Sequence, residues 1–264
     1  MHSRFTRNQA PQSPPEPPLH SEVPELRDAA IAALYYGQRQ AGDFYDFIRV
    51  HPQRVLFGLL DAAGNLEDTR AILSAVQHTF RTLGATLFAE DDINEADAMS
   101  ELCHQLNCTV LDAAKGVHSC PAFAACYNEG LGILCYCNAG HTPGLVRDST
   151  GVVELPATGL PLGLFSHATS DAFMVALEPG ADLLLVSRGI VEAKRHGEEF
   201  GLNRVKEMFQ NTLADTAKEI CMIALDGIRQ FMGTAPTHDD VTALALARAP
   251  MGAAAKGVLT KSSA

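Results

Sequence analysis

The sequence predicts an α+β fold in which helices pack outside antiparallel sheets. Three observations carry that prediction. Apolar runs of strand length open the body of the chain and recur through its second half; two pairs of helical repeats interrupt them; and the order strands, two helices, many strands, two helices, strand is that of a layered architecture. With 264 residues, 47% of them apolar and 19% charged, the chain can bury a core and does not have the composition of a disordered chain or a coiled coil.

Residues 1–24 hold Pro11, Pro14, Pro15, Pro17, Pro18 and Pro24, which prevent regular pairing, so this stretch is expected to be a disordered tail. A single domain is expected over 25–249, followed by a flexible Ala/Gly/Ser/Lys tail over 250–264. Within the domain, Ala29 to Tyr36 and Arg54 to Leu60 are apolar enough for strands, flanking the segment AGDFYDFIRVHPQ. Ile72, Leu73, Val76, Phe80 and Leu83 recur at helical spacing, predicting a helix over 66–83 with one buried face. Met99, Leu102, Cys103, Leu106 and Val110 repeat that spacing, and Asn94 with Asp97 three residues later marks a helix start.

Ala122 to Tyr127 and Leu131 to Cys137 read as an antiparallel pair around Asn128-Glu129-Gly130, where Gly130 can supply a positive φ. Further strands are expected at Gly151 to Leu155, Phe173 to Leu177 and Asp182 to Ser187, with Glu178-Pro179-Gly180 as a turn. Leu202, Val205, Phe209 and Leu213 make one late helix, and Ile220, Cys221, Ala224, Leu225 and Ile228 another. Val241 to Ala247 is the last strand.

A net charge of -11 repels phosphate backbones and anionic lipid, so nucleic acid and membrane are excluded as expected partners. No apolar run approaches the roughly 20 residues that span a bilayer, and the N-terminus lacks the apolar core of a secretory signal; the expected location is the cytoplasm. Seven cysteines without paired C-x-x-C spacing read as buried small hydrophobes rather than a zinc site. There is no G-x-S-x-G, P-loop or G-x-G-x-x-G, so serine-hydrolase, nucleotide-hydrolysing and dinucleotide-binding readings lack their backbone features. His141 and His238 are read as structural hydrogen-bonders.

Acidic residues recur at strand ends: Asp43 and Asp46 in AGDFYD, Asp61 in LLDAAGN, Asp239 and Asp240 in HDDVT. Carboxylates far apart in sequence that converge at one sheet edge need cations to offset their repulsion, which is the chemistry of a hard-metal site.

The segments AGDFYDF, LLDAAGN, NAGHTPGLVR, GLPLGLF, LEPGADLLLVSRGIVEA, EEFG and HDDVTALAL stand in the order seen in the bacterial PPM-type (PP2C-like) serine/threonine phosphatases of the SpoIIE/RsbU group, which the chain resembles from about Ala29 to Arg248. The resemblance implies a central β-sandwich of two antiparallel sheets flanked by helix pairs, with a binuclear Mn²⁺ or Mg²⁺ centre at one end. It implies metal-dependent hydrolysis of phosphoserine or phosphothreonine on a bacterial signalling partner, a STAS-type anti-sigma-factor antagonist, and it admits a homodimer. Carried over by motif, Asp43, Asp61, Ala62 through its carbonyl, and Asp239 or Asp240 are the metal ligands, with Asp61 bridging and catalytic roles for Asp61 and Asp240.

Arg188, in Ser187-Arg188-Gly189, stands where the family has a metal-ligand Asp. An Arg cannot be deprotonated to coordinate a cation, and its charge opposes one. A guanidinium between Asp61 and Asp239 instead replaces the ion by a salt bridge, so activity is expected to be weakened or lost. The alternative is a pseudophosphatase that binds a regulatory partner without catalysis.

Overall fold

The computed structural model describes residues 21–36, 42–62, 66–114, 118–235 and 239–252. In chain order the elements are β1 (Ala29–Tyr36), β2 (Gly42–His51), β3 (Arg54–Ala62), α1 (Leu66–Leu87), α2 (Glu95–Ala114), β4 (Ala122–Asn128), β5 (Ile133–Ala139), β6 (Gly144–Asp148), β7 (Gly151–Leu155), β8 (Phe173–Ala176), β9 (Asp182–Val186), α3 (Arg188–Val191), β10 (Lys194–Arg195), β11 (Glu198–Glu199), α4 (Leu202–Asn211), α5 (Ala217–Met232) and β12 (Val241–Arg248). One five-stranded antiparallel sheet has the order β1-β12-β9-β6-β7, the other β2-β3-β4-β5-β8.

Three apolar layers follow from strand parity, because successive residues of a strand face opposite sides. Phe57 and Leu59 of β3, Phe123 of β4 and Leu244 and Leu246 of β12 meet between the sheets. Leu56 and Leu60 of β3 face Val76 and Phe80 of α1 and Leu102 and Leu106 of α2. Ala243 and Ala245 of β12 face Val205 and Phe209 of α4 and Ile220 and Ile228 of α5. The result is a four-layer stack, helices on sheet on sheet on helices, as expected for the α+β sandwich.

The helix starts are built locally. Asn94 Oδ1 accepts from the amides of Ala96 and Asp97, satisfying donors that the first turn leaves open. Thr216 and Glu219 form a reciprocal capping box at α5.

The structure corrects several local expectations. The segment read as a link between two strands is itself strand β2; it carries Asp43, Asp46 and Arg49 among its apolar residues and so lacks an apolar run. The β4–β5 turn takes its positive φ at Gly132 (φ 65), not Gly130, and Asn128 Oδ1 holds the turn through the amides of Gly130 and Leu131. Leu213 lies beyond α4 and is 94% exposed, because α4 ends at Asn211. Strand β6 and the short α3, β10 and β11 carry too few apolar positions to show a period.

Ser21, in the segment assigned to the tail, donates from Oγ to Asp46 Oδ1 at 2.6 Å; residues 1–20 and 253–264 lie outside the described residues. Six of the cysteines, Cys103, Cys120, Cys126, Cys135, Cys137 and Cys221, are buried free thiols.

Candidate active site

Parity also decides which acidic residues meet. In β2, Phe44 and Ile48 pack toward the helices while Tyr45 and Phe47 face the other sheet, so Asp43 turns inward and Asp46 turns to α1. In β3, Phe57 and Leu59 face inward and Asp61 continues that side. The β2–β3 register sets Asp43 directly opposite Asp61. The second sheet contributes Thr242 and Tyr35 by the same rule. Thr242 Oγ1 donates to Asp43 Oδ2 at 2.7 Å, and the Tyr35 hydroxyl donates to Asp240 Oδ1 at 2.6 Å.

Asp46 belongs elsewhere. It is buried, and it accepts from Arg81 Nε and Nη2, each at 2.7 Å, and from Gln77 Nε2 at 3.1 Å, fixing α1 to β2.

Between the sheet ends sits Arg188, the first residue of α3. The turn that presents it is pinned to the start of β12: the Ser187 amide donates to the Thr242 carbonyl at 2.9 Å, and the Thr242 amide donates to Ser187 Oγ at 3.0 Å. Gly189 lets this turn press on the segment 239–240, since a Cβ there would stand 1.9 Å from the Asp240 carbonyl oxygen. Gly42 serves β2 likewise: a Cβ would stand 2.3 Å from the Ala62 carbonyl oxygen, the backbone group singled out as a ligand.

The guanidinium lies among carboxylates. Arg188 Nε is 3.2 Å from Asp61 Oδ2 and 3.9 Å from Glu192 Oε2, and Nη2 is 4.0 Å from Asp239 Oδ2. The nearest of these contacts is an ion pair without a directed hydrogen bond, for Asp61 Oδ2 and Arg188 Nε are both buried atoms lacking an aligned partner.

The electrostatics carry the mark of like charge. Part of Asp43 reaches solvent, yet its carboxyl is enclosed by protein; burial, with Asp61 and Asp239 nearby, pushes its pKa up to about 8 against the hydrogen bond from Thr242. Burial also raises Asp61, opposed by Arg188 and reinforced by Asp239, Glu192 and Asp240.

His141 is buried at the same end. Thr142 Oγ1 donates to the Val186 carbonyl, and His141 Nδ1 lies 3.0 Å from that hydroxyl and 3.1 Å from the Thr142 carbonyl. A carbonyl only accepts, so Nδ1 carries the proton and Nε2 is a bare acceptor; it has no partner. Burial first, then Arg188, lowers its pKa to about 4.

The structure thus brings Asp43, Asp61, Ala62, Arg188, Asp239 and Asp240 to one end of the sandwich and leaves Asp46 out; His238 lies outside the described residues. Sequence reasoning missed Tyr35, Thr242, Ser187, Glu192 and the placement of His141. Strand parity was the available signal for Tyr35 and Thr242. Among the described residues no three His, Cys, Asp or Glu side chains are grouped to hold a metal ion.

Residues 51–249 match the family described as Stage II sporulation protein E (SpoIIE). The chain belongs to the SpoIIE family. Its fold is that of PP2C-like phosphatase domains. The SpoIIE domain is 24% identical to phosphoserine phosphatase RsbU of Bacillus subtilis (strain 168), over 87% of this chain and 66% of RsbU. Its fold is similar to that of the RsbU and RsbW domains of Rv1364c from Mycobacterium tuberculosis, with a TM-score of 0.67 and 21% identity, covering 86% of this chain and 61% of that one. It also matches the catalytic domain of the serine threonine phosphatase PstP in complex with 2 manganese ions, with a TM-score of 0.58 and 14% identity, over 84% of this chain and 99% of PstP. The chain therefore spans just under two thirds of RsbU.

Arg188 is a permanent cation with no lone pair to offer a metal ion. Arg188 can neutralise Asp61, but it cannot lower the pKa of a water as a divalent ion does.

Proposed function

We propose that this domain engages a STAS-type signalling protein, phosphorylated or unphosphorylated, at the Arg188 end of the sandwich, and that its metal-dependent hydrolysis of phosphoserine or phosphothreonine is weakened or lost. The observation that carries the reading is the placement of the Arg188 guanidinium, 3.2 Å from Asp61 and 4.0 Å from Asp239. The donor set does not fit a binuclear Mn²⁺ or Mg²⁺ centre. The bridging candidate Asp61 is paired with a cation, and Asp43 accepts from Thr242.

The phosphatase lineage supports the substrate class, as RsbU is named a phosphoserine phosphatase and PstP was solved with manganese. In such a centre the bound ions supply the activated water. Here Arg188 balances the charge of Asp61, Tyr35 orients Asp240, Thr242 orients Asp43, and Ser187 ties the Arg188 turn to β12. No described helix is long and apolar enough to cross a membrane.

Calorimetric titration of the protein with Mn²⁺ and Mg²⁺, paired with turnover of a phosphoseryl peptide, tests the reading. The expected result is no bound ion and no turnover; two bound ions with turnover would remove Arg188 from the ligand sphere. A second reading, residual one-metal hydrolysis, is favoured by Asp61 Oδ2, a buried oxygen without an aligned hydrogen-bond partner. One bound ion with slow turnover would support it.

A further inference from the structure

The Arg188 site carries an excess of negative charge. Among the described residues, the charged groups acting most strongly on Asp61 are Arg188, Asp239, Glu192 and Asp240, one cation against three further carboxylates. A divalent pair would reverse that balance and attract a phosphoryl group. One guanidinium does not, and it already faces Asp61, Glu192 and Asp239 at 3.2, 3.9 and 4.0 Å.

A second observation points the same way. Two buried acceptors lack an aligned hydrogen-bond donor here: Asp61 Oδ2, on a residue 2% exposed and paired only in charge with Arg188 Nε at 3.2 Å, and His141 Nε2, on a residue 5% exposed. The chain His141 Nδ1 to Thr142 Oγ1 to the Val186 carbonyl fixes Nε2 as the nitrogen without a proton. Buried acceptors are satisfied by a donor, such as a hydroxyl, an amine or a water; a phosphate oxygen brings more lone pairs and more negative charge. The buried donor without an aligned hydrogen bond, Arg188 Nε, faces Asp61 Oδ2 at 3.2 Å, and the Nη2 group lies toward Asp239 at 4.0 Å.

We infer that the Arg188 site excludes phosphoryl groups and accepts its protein partner only with the contacting Ser or Thr hydroxyl unphosphorylated. The inference rests on the reading above that Arg188 stands in the metal's place, and it reverses the selectivity that a metal-loaded phosphatase cleft requires. Phosphorylation of the partner then releases it rather than making it a substrate.

Inorganic phosphate is the probe, titrated into the full chain while the His141 ring is followed by NMR, with and without Mn²⁺. Without metal, wild type is expected to show no saturable shift into the tens of millimolar. The double variant Glu192→Gln with Asp239→Asn removes two carboxylates, and Asn at 239 retains an oxygen for the Asp240 amide that Asp239 Oδ1 now accepts. This variant is expected to bind phosphate about tenfold or more tightly, and Arg188→Ala in its background is expected to abolish the gain.

Metal-free phosphate binding by wild type that vanishes in Arg188→Ala would overturn the inference and make Arg188 a phosphoryl anchor. A double variant that stays folded and binds no better than wild type would overturn it too, since the carboxylates would not be what repels phosphate. Binding by wild type that appears only with Mn²⁺ would instead sink the reading of the closed metal site, while leaving the metal-free exclusion intact.

Discussion

Gly189 and Asp240 pack backbone on backbone, with room for a hydrogen but not a methyl: a Cβ on Gly189 would lie 1.9 Å from the Asp240 carbonyl oxygen. Gly189→Ala must therefore push the start of α3 away from the 239–240 segment, carrying Arg188 with it. The expected cost is about 1–3 kcal/mol, a fall of several degrees in Tm by calorimetry. An unchanged Tm would mean that the turn relaxes freely.

Arg188 is itself 39% exposed at the side chain, so its pairing with Asp61 is partly screened by solvent. Arg188→Ala is expected to destabilise by only about 1 kcal/mol, less at high salt. Arg188→Asp replaces the cation by a ligand; it is expected to bind Mn²⁺ measurably and to raise turnover of a phosphoseryl peptide. No gain in Mn²⁺ binding would show that Arg188 is not what closes the site.

The fold was legible wherever apolar residues lie in runs or at a helical period. Strand β1 and helix α2 stand where Ala29–Tyr36 and the Met99–Val110 repeat put them. Strand β2 was hidden because Asp43, Asp46 and Arg49 break its run, and β6 because it is five residues long beside a Gly and Pro turn. The acidic members of the site and Arg188 could be found by motif, since each sits at a strand end. Their partners could not. Tyr35 meets Asp240 across 205 positions of sequence, and Thr242 meets Asp43 across 199, contacts that only the pairing of the two sheets creates.

Asp43 is predicted to make the protein more stable in acid than in base over its own range. Its carboxyl has a folded pKa near 8 against an ordinary 3.8, so its contribution is complete below pH 3.8 and is lost as pH rises through 8. Asp43→Asn, which keeps an acceptor for Thr242, is expected to raise Tm at pH 8 and to change it little at pH 4. A lowered Tm at pH 8 would show that the ionised form is the one the fold favours.

His141 works in the opposite direction. Its folded pKa of about 4 lies below the ordinary 6.5, so the unfolded chain takes up a proton first and stability falls as pH drops from 6.5 toward 4. NMR titration is expected to show the His141 ring neutral at pH 5.5, with Nδ1 protonated. A midpoint near 6.5 would contradict its burial.

Asp46 supports α1 rather than the Arg188 site. Asp46→Ala strips Arg81 and Gln77 of their shared acceptor and Ser21 of its own, and is expected to cost about 3 kcal/mol in chemical denaturation. Loss of Ser21 alone, with Asp46 intact, is expected to cost about 1 kcal/mol. Equal costs would mean that the link to α1 contributes nothing.

A counter-ion drawn from solution can be withdrawn from it, by chelation or by starvation. Arg188 is bound to the chain by its own backbone, so its concentration at Asp61 is fixed at synthesis and does not vary with the supply of manganese or magnesium. A site that works through dissolved ions depends on how much metal is available. On the proposed reading, a site charged by its own guanidinium does not depend on that supply.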